Sequence, residues 1–236
     1  IGGSLTGGAA RAALELHDGL LGIGVDSHVV HSHGRALDAT MRSLETGVAG
    51  KTKRFARTVL DRKTGDLVGR GNDLRSFSLG LFGSTATVHL EPESILHLHW
   101  ISDGSFRLPW WKALPDRTVW TLHDMWALTG GCHYAFDCRA FENRCGSCPA
   151  LSSRWRFDSS TLMQCLKKKS VSKGMNVVAV STWLASEAKK SRIFGKASVK
   201  TIPNLVDTTD FWPVDKTIAR QALGLPLDRR LVLTGH

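Results

Sequence analysis

The chain has 236 residues, with 31 Lys and Arg against 21 Asp and Glu, a net charge of +10 with histidine neutral. A content of 42% hydrophobic and 22% charged residues excludes a disordered or collagen-like chain. Apolar runs of only a few residues fall far short of the ~20 needed to cross a bilayer, and no charged-then-apolar segment opens the sequence, so a cytoplasmic location is expected.

After Gly7-Gly8, apolar residues at Ala9, Ala10, Ala13, Leu14, Leu16, Leu20 and Leu21 recur at helical spacing and predict a helix. Val25–Val30 reads as a strand beyond the stop at Gly22 and Gly24. Residues 32–92 are poorly patterned, with a helix expected around Lys51–Asp61 and a Gly/Ser/Thr-rich stretch near 76–87. Two short apolar strands follow, Ser94–His99 and Thr118–His123, with Leu108–Leu114 as a short helical crossover between them. Leu162, Cys165 and Leu166 mark one helix face, on which Cys165 is expected as a buried thiol. Asn176–Val180 is a strand, Ser181 caps a helix running to about Arg192, and Val199–Ile202 is a last strand before Pro203. This alternation predicts an α/β fold, a Rossmann-like parallel sheet with helices on both faces.

Residues 203–213 contain two prolines and no periodicity and read as a linker. Residues 1–203 are therefore expected to form one domain. Residues 204–236 are expected to be a linker and the start of another, with a short helix over Lys216–Leu223 and a strand from Leu231. The sequence opens Ile1-Gly2-Gly3 without a Met and closes inside that strand, so it is expected to be a fragment.

Four places could carry chemistry. Gly7-Gly8 opens a helix, where free N–H groups and the positive dipole end favour an anion, although a plain tight turn has the same signature. It is no nucleotide P-loop, because no Gly-Lys-Ser/Thr follows. The strand ends His97-Leu98-His99-Trp100 and His123-Asp124-Met125-Trp126 lie where open α/β sheets bind ligands. His97 and His99 share a strand face; His97 reads as a structural histidine bonded to a backbone carbonyl, and His99 reads either way. His123, with Asp124 and Trp126 in the same turn, points to function.

Third, Cys132, Cys138, Cys145 and Cys148 fall within seventeen residues, and Cys145-Gly146-Ser147-Cys148 has knuckle spacing. Structural zinc, two disulfides and free thiols are the alternatives, zinc being favoured, with His133 able to replace one Cys. Fourth, eight tryptophans accompany a single tyrosine. Trp in loops after strands stacks on sugar rings or fills a core, and the core reading is preferred for Trp120 and Trp183.

Charge is uneven. Residues 151–200 hold eleven Lys and Arg and two Asp and Glu, a local +9 that includes Lys167-Lys168-Lys169. Such a field attracts nucleic acid, anionic lipid or a diphosphate ligand, and a solvated helix face is the plain alternative.

The runs Gly7–Ala13, His97–Trp100 and Thr121–Tyr134, followed in order by Ser181–Ala185 and Ile202–Asp207, resemble bacterial family 4 glycosyltransferases of exopolysaccharide and colanic-acid type. The resemblance implies a GT-B architecture of two Rossmann-like domains with the active site in the cleft between them. It implies metal-independent transfer, with retention, from a nucleotide-diphospho-sugar to a polysaccharide or lipid-linked acceptor. Gly7 and Gly8 would then face the donor diphosphate, and His123 the transferred sugar. Asp124 would lie on the acceptor side, with His99, Trp100 and Trp126 as substrate contacts. A lipid-linked acceptor would let residues 151–200 meet the inner membrane face. The first strand, a paired-glutamate motif and the basic diphosphate grip of the family lie outside the sequence, so residues 1–236 alone are expected to be inactive. A zinc-knuckle nucleic-acid binder is the alternative from another class, and it leaves the Gly-Gly helix and the His-Asp strand end without a purpose.

Overall fold

The computed structural model describes residues 5, 7–32, 36–67 (of 61–67, the backbone), 90–102, 106–107, 114–172 and 174–233. The chain divides into two units, Ile1–Asn204 and Leu205–His236. The first carries, in order, α1 (Gly8–Gly22), β1 (Val29–His31), β2 (Met41–Ser43), α2 (Gly47–Leu67), β3 (Leu96–Leu98), β4 (Thr118–Leu122), α3 (Ala140–Asn143), α4 (Ser159–Ser170), β5 (Asn176–Ala179), α5 (Thr182–Lys190) and β6 (Ser198–Thr201). The second carries α6 (Lys216–Ala222).

Strands β3, β4, β5 and β6 form a sheet in that order, every pair parallel, and β1 and β2 form a second parallel pair. Parallel neighbours require crossovers, and helices flanking the sheet supply them, which makes this a Rossmann-like α/β fold. Both faces of the sheet are covered, and β4 shows it: Thr118, Trp120, Thr121 and Leu122 are all buried. Trp120 meets Phe194 edge to face at 5.8 Å, and Leu122, Val177, Ala179, Leu184 and Ala188 complete the centre of the core.

Helix ends follow local chemistry. Asp158 caps α4 by accepting from the Ser160 and Thr161 N–H groups, Ser181 caps α5 by accepting from Leu184 N–H, and Asp215 caps α6. At the end of α1, Gly24 N–H bonds Leu21 O and Val25 N–H bonds Leu20 O, closing the helix with the 6→1 pattern of a Schellman turn. Val25 therefore belongs to the helix stop. The predicted strand Val25–Val30 begins only at Val29, where β2 is present to pair with it.

Three further expectations are corrected. The buried face of α4 is Ser160, Thr161, Met163, Gln164, Lys167 and Ser170, whereas Leu162 is exposed and Cys165 and Leu166 are half-buried. Polar groups on that face reach loop carbonyls and amides, and this outweighs the apolar pattern of the other face. Trp183 is 51% exposed and is no core residue, because it stands in the first turn of α5, whose buried side is Leu184, Ala185, Glu187 and Ala188. Residues Leu231–Leu233 form no strand; among the described residues none pairs with them, and all three are exposed. The expected crossover over Leu108–Leu114 and the stretch 76–87 lie mainly outside the described residues.

Candidate active site

Strands β3 and β4 pair with Leu96 opposite Thr118, and their polar side chains meet on the diagonal two residues further on. His97 Nε2 lies 2.8 Å from Thr121 Oγ1, His99 Nδ1 lies 3.0 Å from His123 Nε2, and Trp100 Nε1–H donates to Asp124 Oδ2 at 3.1 Å. The three contacts form a ladder that climbs to the carboxyl end of the sheet. His97 is thus held by a side-chain hydroxyl where a backbone carbonyl was expected.

Asp124 is the most heavily bonded group of the ladder. Its Oδ1 accepts from Trp126 N–H at 2.8 Å, which starts the 3-10 turn Trp126–Leu128, and its Oδ2 is 2.6 Å from His133 Nδ1. Burial opposes ionisation of this carboxyl, but the bonds from His133, Trp126 N–H and Trp100 outweigh it and hold the group below the usual carboxylate value. An ionised carboxylate only accepts, so His133 presents Nδ1–H to it. His133 Nδ1 is thereby committed to Asp124.

The histidines respond to burial in the opposite sense. It pushes His99 down to about 2 and His97 to about 4, and it lowers His123, where the nearby Asp124 charge partly opposes the shift. At neutral pH the His99–His123 pair is uncharged, so its single shared proton is donated by one ring and accepted by the other.

Helix α1 faces this ladder. Gly7, its N-cap, has φ 95° and ψ 169°, a region open to glycine alone, and it offers no side-chain cap to the first turn. No acidic residue occupies that turn, and the first backbone bond to a preceding carbonyl is Arg11 N–H to Gly7 O. The N–H groups of Gly8, Ala9 and Ala10 consequently have no acceptor inside the helix. Gly7, Gly8, Ala9 and Ala10 line the same cavity, about 370 Å³, as His31, His99, Trp100, His123, Asp124 and Tyr134. A positive dipole end and an ionised carboxylate thus border one space, and among its described lining residues there is no Lys or Arg.

Of the predicted site residues, Gly7, Gly8, His99, Trp100, His123 and Asp124 come together. Trp126 does not line the cavity: it is buried, with the Lys167 Nζ 3.6 Å from its ring centroid. That ammonium, itself fully buried, also donates to Trp126 O at 2.6 Å and Thr129 O at 3.2 Å. One member of the Lys167–Lys169 run therefore braces the loop behind Asp124 and is not part of the surface field. Sequence reasoning also missed His31, at the carboxyl end of β1, and Tyr134, which stacks on Trp183 at 6.4 Å with both rings half exposed. The position of His31 at a strand end is the signal that could have found it.

Comparison with known proteins identifies the family. The model of the family Glycosyltransferase Family 4 matches residues 6–210. Over 156 residues the chain is 31% identical to the Escherichia coli (strain K12) protein named as a colanic acid biosynthesis glycosyl transferase, WcaC, covering 62% of this chain and 38% of that protein. The chain thus spans well under half the length of this relative. No solved structure matches it. The match takes in the α1 start, both histidine strand ends and Asp124, and gives the nucleic-acid alternative no support: the chain belongs to glycosyltransferase family 4.

Proposed function

We propose that the chain is the acceptor-side domain of a glycosyltransferase that moves a sugar from a nucleotide-diphospho-sugar to a polysaccharide or lipid-linked acceptor, with retention at the anomeric carbon. The observation that carries this reading is the shared cavity of the α1 start, the neutral His99–His123 pair and the Asp124 carboxylate. Glycosyl transfer separates charge: positive character grows on the sugar carbon while a diphosphate leaves as an anion. The uncapped N–H groups of Gly8, Ala9 and Ala10 meet the departing phosphate oxygens, and the α1 dipole has the sign that favours them. Asp124, kept ionised by its three hydrogen bonds, supplies negative potential toward the cationic sugar and the acceptor hydroxyl. His123 holds the transferred sugar through one neutral ring nitrogen, its other polar contact being His99. A charged imidazole there would oppose the developing cation, so burial serves the chemistry by keeping the ring neutral.

The reading needs no catalytic metal. Its test uses a protein in which residues 1–236 are joined to a nucleotide-sugar-binding domain of the family, incubated with a panel of nucleotide-diphospho-sugars and a saccharide acceptor mixture, following nucleoside diphosphate release and the anomeric configuration of the product by NMR. Retained configuration, with turnover unchanged by a chelator, is the expected result. An inverted product would overturn the retention, and turnover that stops with the chelator would overturn the metal-free transfer. Exposed basic residues within 151–200 are proposed to meet anionic lipid where the acceptor is membrane-borne.

A further inference from the structure

The cysteine cluster lies beside the transfer site and takes no part in it. Cys132, Cys138, Cys145 and Cys148 all line one small cavity of about 20 Å³, walled otherwise by groups such as Ala135, Ala140 and Phe141. No disulfide joins any of them. The segment holding them, between the 3-10 turn at Trp126 and α4, has little regular secondary structure, only α3 and the 3-10 turn Pro149–Leu151. It nevertheless packs tightly, with Cys145 and Cys148 buried.

Backbone donors reach two of the four sulfurs. Gly130 N–H is directed at Cys145 Sγ, the N–H groups of Ala150 and Leu151 at Cys148 Sγ, and the Cys132 and Cys148 sulfurs contact each other. Between Cys145 and Cys148 the chain reverses through Gly146 (φ 148°) and Ser147 (φ 45°). A Cβ at Gly146 would stand 2.2 Å from Arg156 O, so this tight knuckle admits only glycine. Its backbone is held from outside: Cys145 N–H donates to Gln164 Oε1, Cys145 O accepts from Thr161 Oγ1, and Cys148 N–H donates to Asp158 Oδ2. Orientation of the ligand-bearing backbone by surrounding hydrogen bonds is what a metal centre requires.

We propose that Cys132, Cys138, Cys145 and Cys148 form a tetrathiolate site for one structural zinc ion. Among the described residues no three His, Cys, Asp or Glu side chains are set to hold an ion as they stand, so uptake includes rotation of the thiols into the cavity they already line. Four protein sulfurs leave no open coordination position, so the ion staples the loop and does no chemistry. The inference is independent of the sugar-transfer reading, because its readout is the metal itself.

The test is metal analysis of the reduced protein purified without added chelator, with bound zinc expected near ~1 per chain. Stepwise modification of the thiols of the unaltered protein by an organomercurial, with a chromogenic chelator reporting zinc, is expected to release the ion as the four sulfurs are consumed. Cobalt(II) substituted for zinc is expected to give thiolate charge-transfer and tetrahedral d–d absorption. Cys145→Ser and Cys148→Ser are expected to bring zinc to background, and Cys165→Ser, outside the cluster, to leave it unchanged. Should a variant fail to fold, the mercurial titration still decides. Reduced, folded protein without zinc that takes up no cobalt would overturn the proposal, as would four freely alkylated thiols or two disulfides in the native protein.

Discussion

Asp124 is the side chain on which most of the site depends, because three donors converge on it from the strand end before it, the turn it opens and the loop beyond it. Asp124→Asn preserves the shape but sets an amide against those donors. Turnover is expected to fall by about 10²-fold or more, as for loss of one preorganised electrostatic group, with the circular dichroism spectrum unchanged. The histidines make a separate prediction about pH. His97 and His99 have folded values of about 4 and about 2, below the ordinary 6.5, so the unfolded chain takes up protons first as pH falls. The stability held by their neutral forms is therefore full above pH 6.5. It declines toward pH 4 for His97 and toward pH 2 for His99, by up to ~1.4 kcal/mol per pH unit for each ring. Urea midpoints measured at pH 7 and pH 5 are expected to converge in His99→Gln relative to the unaltered chain; an equal acid shift in both would show that His99 carries none of this sensitivity. These effects were half legible in sequence. The strand-end position singled out His123 and Asp124, but nothing in the one-dimensional pattern placed His133 against Asp124 or showed His99 bonded to His123.

At the level of the element, α1 and α4 show opposite relations between pattern and use. Helix α1 forms where its glycine pair and helical spacing predict it, and its value to the site lies in an N-terminus left uncapped. Because Gly7 occupies a glycine-only conformation, Gly7→Ala is expected to cost about 1–3 kcal/mol locally. It should weaken nucleotide-sugar binding about tenfold or more by turning the N–H groups away. Gly8→Ala, in ordinary helical geometry, is expected to change binding much less, and titration calorimetry compares the two. Helix α4 inverts its own apolar pattern. Its inward face carries Thr161, Gln164 and Lys167, which bond backbone groups of the loop between Trp126 and Arg156. Lys167→Met removes the donor to two carbonyls and the cation over Trp126. It is expected to destabilise the fold by about 1.5–3 kcal/mol, in line with loss of charged hydrogen bonds, and to alter the Trp126 fluorescence. An unchanged thermal midpoint would show that the ammonium braces nothing. Periodicity could not reveal this, because loop carbonyls as partners leave no mark on the spacing of the helix itself.

For the molecule as a whole, among the described residues no helix is long and apolar enough to cross a membrane. The local +9 of residues 151–200 is reduced as a surface field by Lys167, which is buried, while Arg154, Arg156, Lys168 and Lys169 remain exposed, as do Trp155 and Phe157. Binding to vesicles containing phosphatidylglycerol is expected, with loss as salt shortens the screening length from ~10 Å at 0.1 M to ~3 Å at 1 M. Equal binding to neutral phosphatidylcholine vesicles would rule out the electrostatic contact. By itself, the order of strand-like and helix-like segments determined the class of fold, because parallel strands need crossover connections. The glycine pair and the His-Asp strand end likewise marked the two sides of the cavity. Only the tertiary structure decided which polar groups complete them. A contact such as His99–His123, Asp124–His133 or Lys167–Trp126 joins residues 9 to 41 positions apart, and its strength comes from exclusion of water, which exists only once the chain has packed.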